Sequence, residues 1–197
     1  MDLIVLGTRN EGKAAELRIL LRGVAARLES LREHPDVKLP PETGATYREN
    51  AIAKARAVHD ALRVPALGDD SGLEVDALEG APGLYSARYA GPDATDHANN
   101  EKLLQALTGL PAAKRTARFR CVLALVAGSE APRVFEGSCE GRILEAPRGR
   151  DGFGYDPVFQ PDGETVSFAE LEPERKNQIS HRARAARELL RNLGLDR

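Results

Sequence analysis

The period of apolar positions changes several times along the chain, and each change marks an element. Residues Leu3–Leu6 are apolar without a break, the pattern of a strand buried on both faces. Ala14, Leu17, Leu20 and Leu21 then recur at helical spacing and predict a helix over Glu11–Leu21. A second helix is announced by Thr46–Glu49 ("TYRE"), a capping box in which Thr46 caps the Glu49 amide and Glu49 reaches back. Ala51, Ala55, Val58 and Leu62 form its inner stripe. Short strands are expected at Ala66–Gly68 and Leu73–Val75, and a third helix over Thr95–Leu107. Ala117–Ala127 begins with alternation and ends continuously apolar, as a long central strand does. Arg133–Gly137 and Gly141–Leu144 read as strands beside it, and a last helix runs from Pro173 or Asn177 to Asn192. Helices interleave with strands, and some strands adjoin directly, so the expected class is α/β with a mixed sheet. No repeat, linker or low-complexity segment interrupts the 197 residues, which are expected to form a single domain, 1–197.

Composition narrows the function classes. The 28 basic and 30 acidic residues leave a net charge of −2, which argues against a general electrostatic hold on nucleic acid or an anionic membrane. An anionic ligand must therefore be met by locally placed lysines and arginines. Five Phe, four Tyr and no Trp are too few for a single-strand stacking platform. No apolar run approaches the ~20 residues of a membrane span. The opening "MDLIVLGT" lacks a basic region before its apolar run, so no signal peptide is expected. Cys121 and Cys139 fit no zinc spacing and read as reduced thiols of a cytoplasmic protein.

Three stretches carry chemistry. "LGTRNEGKAAEL" places Gly7, Gly12 and Lys13 almost as in a phosphate-binding P-loop, after a strand and at the opening of a helix. The match fails at Ala14, where a P-loop needs a hydroxyl for magnesium. Thr8, Asn10 and Lys13 still lie where free amides and a helix N-terminus attract anions. The alternative is that Asn10 only caps the helix and Lys13 is solvated. In the second helix Asn50 and Lys54 are i and i+4, one face at the rim of the buried stripe. Glu42 precedes them on the loop "PPETG".

The third stretch, "LGDDSGLEVD", holds the adjacent carboxylates Asp69 and Asp70. Successive strand residues point to opposite faces, so the pair shares one task only if the strand stops there, and Gly72 permits a stop. A hard cation would remove the repulsion, since Mg²⁺ takes one or two carboxylates plus waters and substrate phosphates. Glu42 is the natural further acid. Against this stands a cap by Asp69 with Asp70 solvated. A phosphatase nucleophile is disfavoured, because that class wants D-x-D-x-T.

Taken together, "TRNEGKAAEL", "ETGATYRENAIAKA", "DDSGLEVDALEGAPGLYSARYAG", "GFGYDPVF" and "KNQISHRARA" make the chain resemble the inosine triphosphate pyrophosphatase (Ham1-like) family. These blocks fall in the family's order over nearly the whole chain. Arg9 stands where glycine is common, and Gly68 where alanine is usual. The resemblance implies an elongated mixed sheet flanked by helices, with two lobes and an active-site groove between them. It implies hydrolysis of ITP, dITP and XTP to monophosphate and pyrophosphate with Mg²⁺, by a homodimer. By resemblance, Thr8, Arg9, Asn10, Glu11, Gly12 and Lys13 hold the triphosphate and Asn50 binds substrate; Lys13 and Lys54 join Asp70 as catalytic residues, meeting the charge on the leaving oxygens. Glu42 and Asp69 bind metal. Asp70 activates water and touches the metal, and Ser71 contacts substrate. Phe153, Gly154, Tyr155 and Asp156 meet the nucleoside, and Lys176, His181 and Arg182 the base and its neighbouring phosphate.

Phe153 stands between two glycines, which present its ring for stacking; otherwise it is a turn residue plugged into the core. Arg182 is expected to donate to a 6-oxo group, where adenine would set donor against donor. The functional alternatives are a pyrophosphatase for other modified nucleotides and a nucleotide sensor without turnover.

Overall fold

The computed structural model describes residues 1–195. Six strands form one sheet in the order β2-β1-β3-β4-β5-β6. They are β1 (Leu3–Gly7), β2 (Arg27–Ser30), β3 (Ala66–Val75), β4 (Thr116–Val126), β5 (Arg133–Ile143) and β6 (Phe159–Pro161). β1 runs parallel to β2 and β3, with Leu6 opposite Ser30 and Leu67, while β5 and β6 are antiparallel. The helices are α1 (Glu11–Leu20), α2 (Tyr47–Leu62), α3 (Asp96–Ala106), α4 (Pro173–Ile179) and α5 (His181–Asn192). The α/β class with a mixed sheet is as expected. By its contacts the chain divides into two compact units. The first comprises Met1–Asp70, Cys121–Gly137 and residues 181–195; the second comprises Ser71–Arg120 and Ser138–Ser180.

In the first unit the unbroken apolar runs have a direct cause. Ile4 and Leu6 of β1, Leu67 of β3 and Cys121, Leu123 and Leu125 of β4 face α1 and α5, packing on Leu17, Ala185 and Leu189. The alternate residues Val122, Ala124 and Val126 face α2, packing on Ala51 and Ala55. Strands covered on both faces need apolar residues at every position. α2 comes unusually close to β3: a Cβ at Gly68 would lie 2.0 Å from the Ala51 carbonyl oxygen. The core of the second unit is aromatic, with the rings of Phe119, Phe159 and Phe168 at centroid distances of 4.7–5.8 Å.

Four expectations are corrected. Ala66–Gly68 and Leu73–Val75 are one ten-residue strand, so β3 does not stop at Gly72. Arg133–Gly137 and Gly141–Leu144 are likewise one strand. The last helix is two, broken where Ser180 is extended (φ −65°, ψ 158°). Thr46 caps Glu49 as expected, but the Glu49 carboxylate accepts from the Ala45 amide rather than that of Thr46. β2, with one apolar residue in "RLES", and the three-residue β6 have too little pattern to be recognised. No helix of the described residues is long and apolar enough to cross a membrane.

Candidate active site

The uninterrupted course of β3 decides what the aspartate pair does. Asp69 follows Leu67 on the face of α1 and α5, and Asp70 follows Gly68 on the face of α2. Each meets its own cations. Lys13 Nζ donates to Asp69 Oδ1 at 2.7 Å and Arg182 Nε to Oδ2 at 2.7 Å. Arg182 also reaches Glu16 Oε2 at 2.5 Å, and the Cys121 thiol lies 3.7 Å from Asp69 Oδ2. Burial pushes the Asp69 carboxyl up, but Arg182 and then Lys13 overcome it and hold the group far below the usual carboxylate range. Burial also pushes the Cys121 thiol well up, and Asp69 adds to this.

On the other face Lys54 Nζ lies 2.7 Å from Asp70 Oδ1, 2.5 Å from Glu42 Oε1 and 3.2 Å from the Asp69 carbonyl. Asn50 sits one turn earlier and grips two segments. Its Nδ2 donates to Asp70 Oδ2 at 3.1 Å, and its Oδ1 accepts from the Gly44 amide at 2.9 Å, which fixes the loop bearing Glu42. Burial raises the Asp70 carboxyl above its ordinary range against the pull of Lys54. Burial opposes the Lys54 charge, yet Asp70 and Glu42 together raise its pKa and keep it protonated.

Of the three carboxylates expected at a metal, the structure brings two together. Glu42 and Asp70 converge on one cation, here the Lys54 ammonium. Asp69 faces away with both oxygens engaged by Lys13 and Arg182. Among the described residues no three His, Cys, Asp or Glu side chains gather as a metal-holding group. Two convergent carboxylates do fit Mg²⁺, whose remaining positions go to water and phosphate oxygens.

The turn before α1 leads into the helix N-terminus expected to attract anions. Asn10 is indeed the N-cap, accepting from the Lys13 amide at 2.9 Å, but Lys13 is not solvated. Thr8 is buried and accepts from the Asn10 amide. Arg9 turns away, donating to the carbonyls of Val37 (2.8 Å) and Pro35 (3.3 Å), so it anchors the following loop instead of adding a phosphate contact. Glu11 begins the helix near Ser30, at 3.3 Å, and Gly12 follows it. Ser71 is half-buried in β3.

In the second unit Phe153 is half-buried, with the Lys176 ammonium 5.1 Å from its ring centroid. Asp156 is buried and accepts from Lys176 Nζ at 2.6 Å and from the Phe153 amide at 2.9 Å. It thus positions the two neighbouring groups. Tyr155 is directed into the core, its hydroxyl donating to the Ser86 carbonyl at 2.8 Å. His181 and Arg182 open α5 in the first unit and are both buried. Arg182, expected beside the base, is 1% exposed and pairs with Asp69 and Glu16. The partner missed in the sequence is Glu16. Its signal was present, since it lies three residues after Lys13 and so shares a helical face with it.

The family model described as the Ham1 family matches residues 4–192. A dITP/XTP pyrophosphatase of Geobacillus kaustophilus is 49% identical over 96% of this chain and 93% of its own. One from Geobacter sulfurreducens is 47% identical over 98% of each. Among solved structures, a HAM1 protein from Coxiella burnetii superposes with a TM-score of 0.87 at 43% identity, over 98% of this chain and 99% of that one. The Staphylococcus aureus Ham1 protein gives 0.86 at 39%, with both chains fully covered. A near-complete family match, two full-length relatives and two like-folded structures all point one way: the chain belongs to the Ham1 family.

Proposed function

We propose that this protein hydrolyses non-canonical purine nucleoside triphosphates (ITP, dITP and XTP) to the monophosphate and pyrophosphate, removing them from the nucleotide pool. The observation that carries this reading is the raised, buried Asp70 carboxyl held between Lys54 and Asn50, in a chain whose full-length relatives are dITP/XTP pyrophosphatases. A carboxylate fixed by two donors and shifted upward by burial is a stronger base than an exposed one. Asp70 accepts a proton from water as the water oxygen bonds to the α-phosphorus. The bond from that phosphorus to the bridging oxygen breaks, and its electrons leave on pyrophosphate. Lys13, Lys54 and the free amides at the start of α1 meet the charge that develops there. Glu42 and Asp70 would hold Mg²⁺, which when bound neutralises phosphate oxygens. Asp69 acts through others: it orients Lys13 and is itself fixed by Arg182.

Phe153 supplies a ring for the base, and Lys176 a donor beside it. An ammonium favours the 6-oxo group of hypoxanthine and xanthine, whereas adenine would present a 6-amino donor to it. A homodimeric state and a cytoplasmic location belong to the same proposal; two buried free thiols suit a reducing compartment.

A panel of dITP, XTP, dATP and dTTP with Mg²⁺, scored separately for pyrophosphate and orthophosphate, tests the reading. Preferential turnover of dITP and XTP with one pyrophosphate per monophosphate is expected. Stepwise orthophosphate release, or equal turnover of dTTP, would refute it.

A further inference from the structure

α3 opens with Asp96, and Asn100 follows one turn later on the same face. Both reach one residue of the loop that carries Phe153. The Gly154 amide donates to Asp96 Oδ2 at 2.7 Å, and Asn100 Nδ2 donates to the Gly154 carbonyl at 2.9 Å. The two peptide groups flanking Gly154 are thus held from one helix face. Gly154 itself is left-handed (φ +62°), a conformation glycine takes without strain. On the other side, the Phe153 amide is held by Asp156. The backbone that aims the Phe153 ring is therefore pinned before and after it.

Asn100 is 6% exposed, and its Oδ1 has no hydrogen-bond partner among the described residues. A buried acceptor left unpaired is unfavourable, and an apolar residue of the same size would avoid it. Its neighbour Asn99 shows the contrast. There Oδ1 accepts from the Ala90 amide and Nδ2 donates to the Ala87 carbonyl, so both halves of the amide are used. Packing does not account for an asparagine at 100; the grip on Gly154 does.

We propose that Asp96 and Asn100 are positioning residues for base recognition, acting through the Gly154 backbone on the ring of Phe153. This rests on the reading of Phe153 as the base-stacking residue. The consequence is specific. Releasing the clamp lets the ring leave its stacking orientation, which weakens binding of the base and leaves phosphate chemistry intact.

The test is a double-mutant cycle with dITP as substrate. Asn100→Leu should raise KM about tenfold with kcat within about twofold, since the ring is misaimed and not removed. In a Phe153→Ala background the same change should add nothing. Asp96→Ala, at an exposed position, should also raise KM, while Asp96→Asn keeps an acceptor oxygen and should restore it. This second pair decides the matter even if Asn100→Leu fails to fold. If KM penalties of the clamp and of Phe153→Ala multiply, the clamp does not act through the ring and the proposal is overturned. An unaltered KM in folded Phe153→Ala would instead overturn the reading of Phe153 itself, and the clamp's role with it.

Discussion

Asp70→Asn separates catalysis from stability in a single residue. The replacement keeps the shape of the side chain and its bond to Asn50 or Lys54, and removes the charge. In the folded protein burial raises the Asp70 pKa more than Lys54 lowers it. The sign follows from linkage. A carboxyl whose folded pKa lies above its unfolded value contributes stability below the unfolded pKa of about 3.9 and loses it as pH rises through the folded pKa. At neutral pH the native carboxylate is thus a burden on the fold, and an uncharged asparagine does not carry it. Lys54 keeps a partner in Glu42 at 2.5 Å, so the substitution strands no buried cation. Each pKa unit corresponds to about 1.4 kcal/mol. A change of about 1 kcal/mol moves the melting midpoint of a chain this size by roughly 2–4 °C. The expected outcome at pH 7.5 without metal is a midpoint equal to or above that of the parent protein. Turnover of dITP should fall about 10²–10⁴-fold, the range for losing a positioned general base. Thermal melts by circular dichroism and a coupled pyrophosphate assay read the two quantities. A midpoint several degrees lower with turnover unchanged would make the Asp70–Lys54 pair a structural ion pair and refute the reasoning.

Arg182→Met should lower stability by about 3–5 kcal/mol in denaturant unfolding, because Glu16 and the fully buried Asp69 lose a shared cation. Glu42→Gln should weaken the Mg²⁺ requirement curve, shifting half-maximal activity to higher Mg²⁺, with excess Mg²⁺ restoring part of the rate; a Mg²⁺ titration of initial rates checks it. Neither Cys121 nor Cys139 should react with a thiol reagent at pH 8 in the native state, since both are buried and the Cys121 thiol is raised well above its ordinary range; both should react after unfolding in guanidinium.

What was legible in the sequence followed from local pattern. β1, α1, α2 and β4 were recognisable because one or both faces are buried and apolar residues recur there, with Asn50 and Lys54 of α2 as buried polar exceptions. Asn50 and Lys54 were placed on one helix face by spacing alone, and the structure has both on Asp70. β3 read as two short strands because Asp-Asp-Ser-Gly is poor in strand formers. It runs on because each aspartate finds its own cations on its own face. The ion pairs of Arg182 had no local signal. Its partners lie 113 and 166 residues away in sequence, and only the packing of α5 on α1 brings them together. Sequence places Tyr155 and Asp156 only as members of their block; in the fold one packs into the aromatic core and the other accepts from Phe153 and Lys176.

The central claim is attack by an Asp70-activated water at the α-phosphorus. Hydrolysis of dITP in ¹⁸O-labelled water, followed by mass spectrometry of both products, tests it most directly. One ¹⁸O per molecule in the monophosphate, and none in pyrophosphate, is the predicted result. Label in pyrophosphate would place the attack at the β-phosphorus and contradict the account.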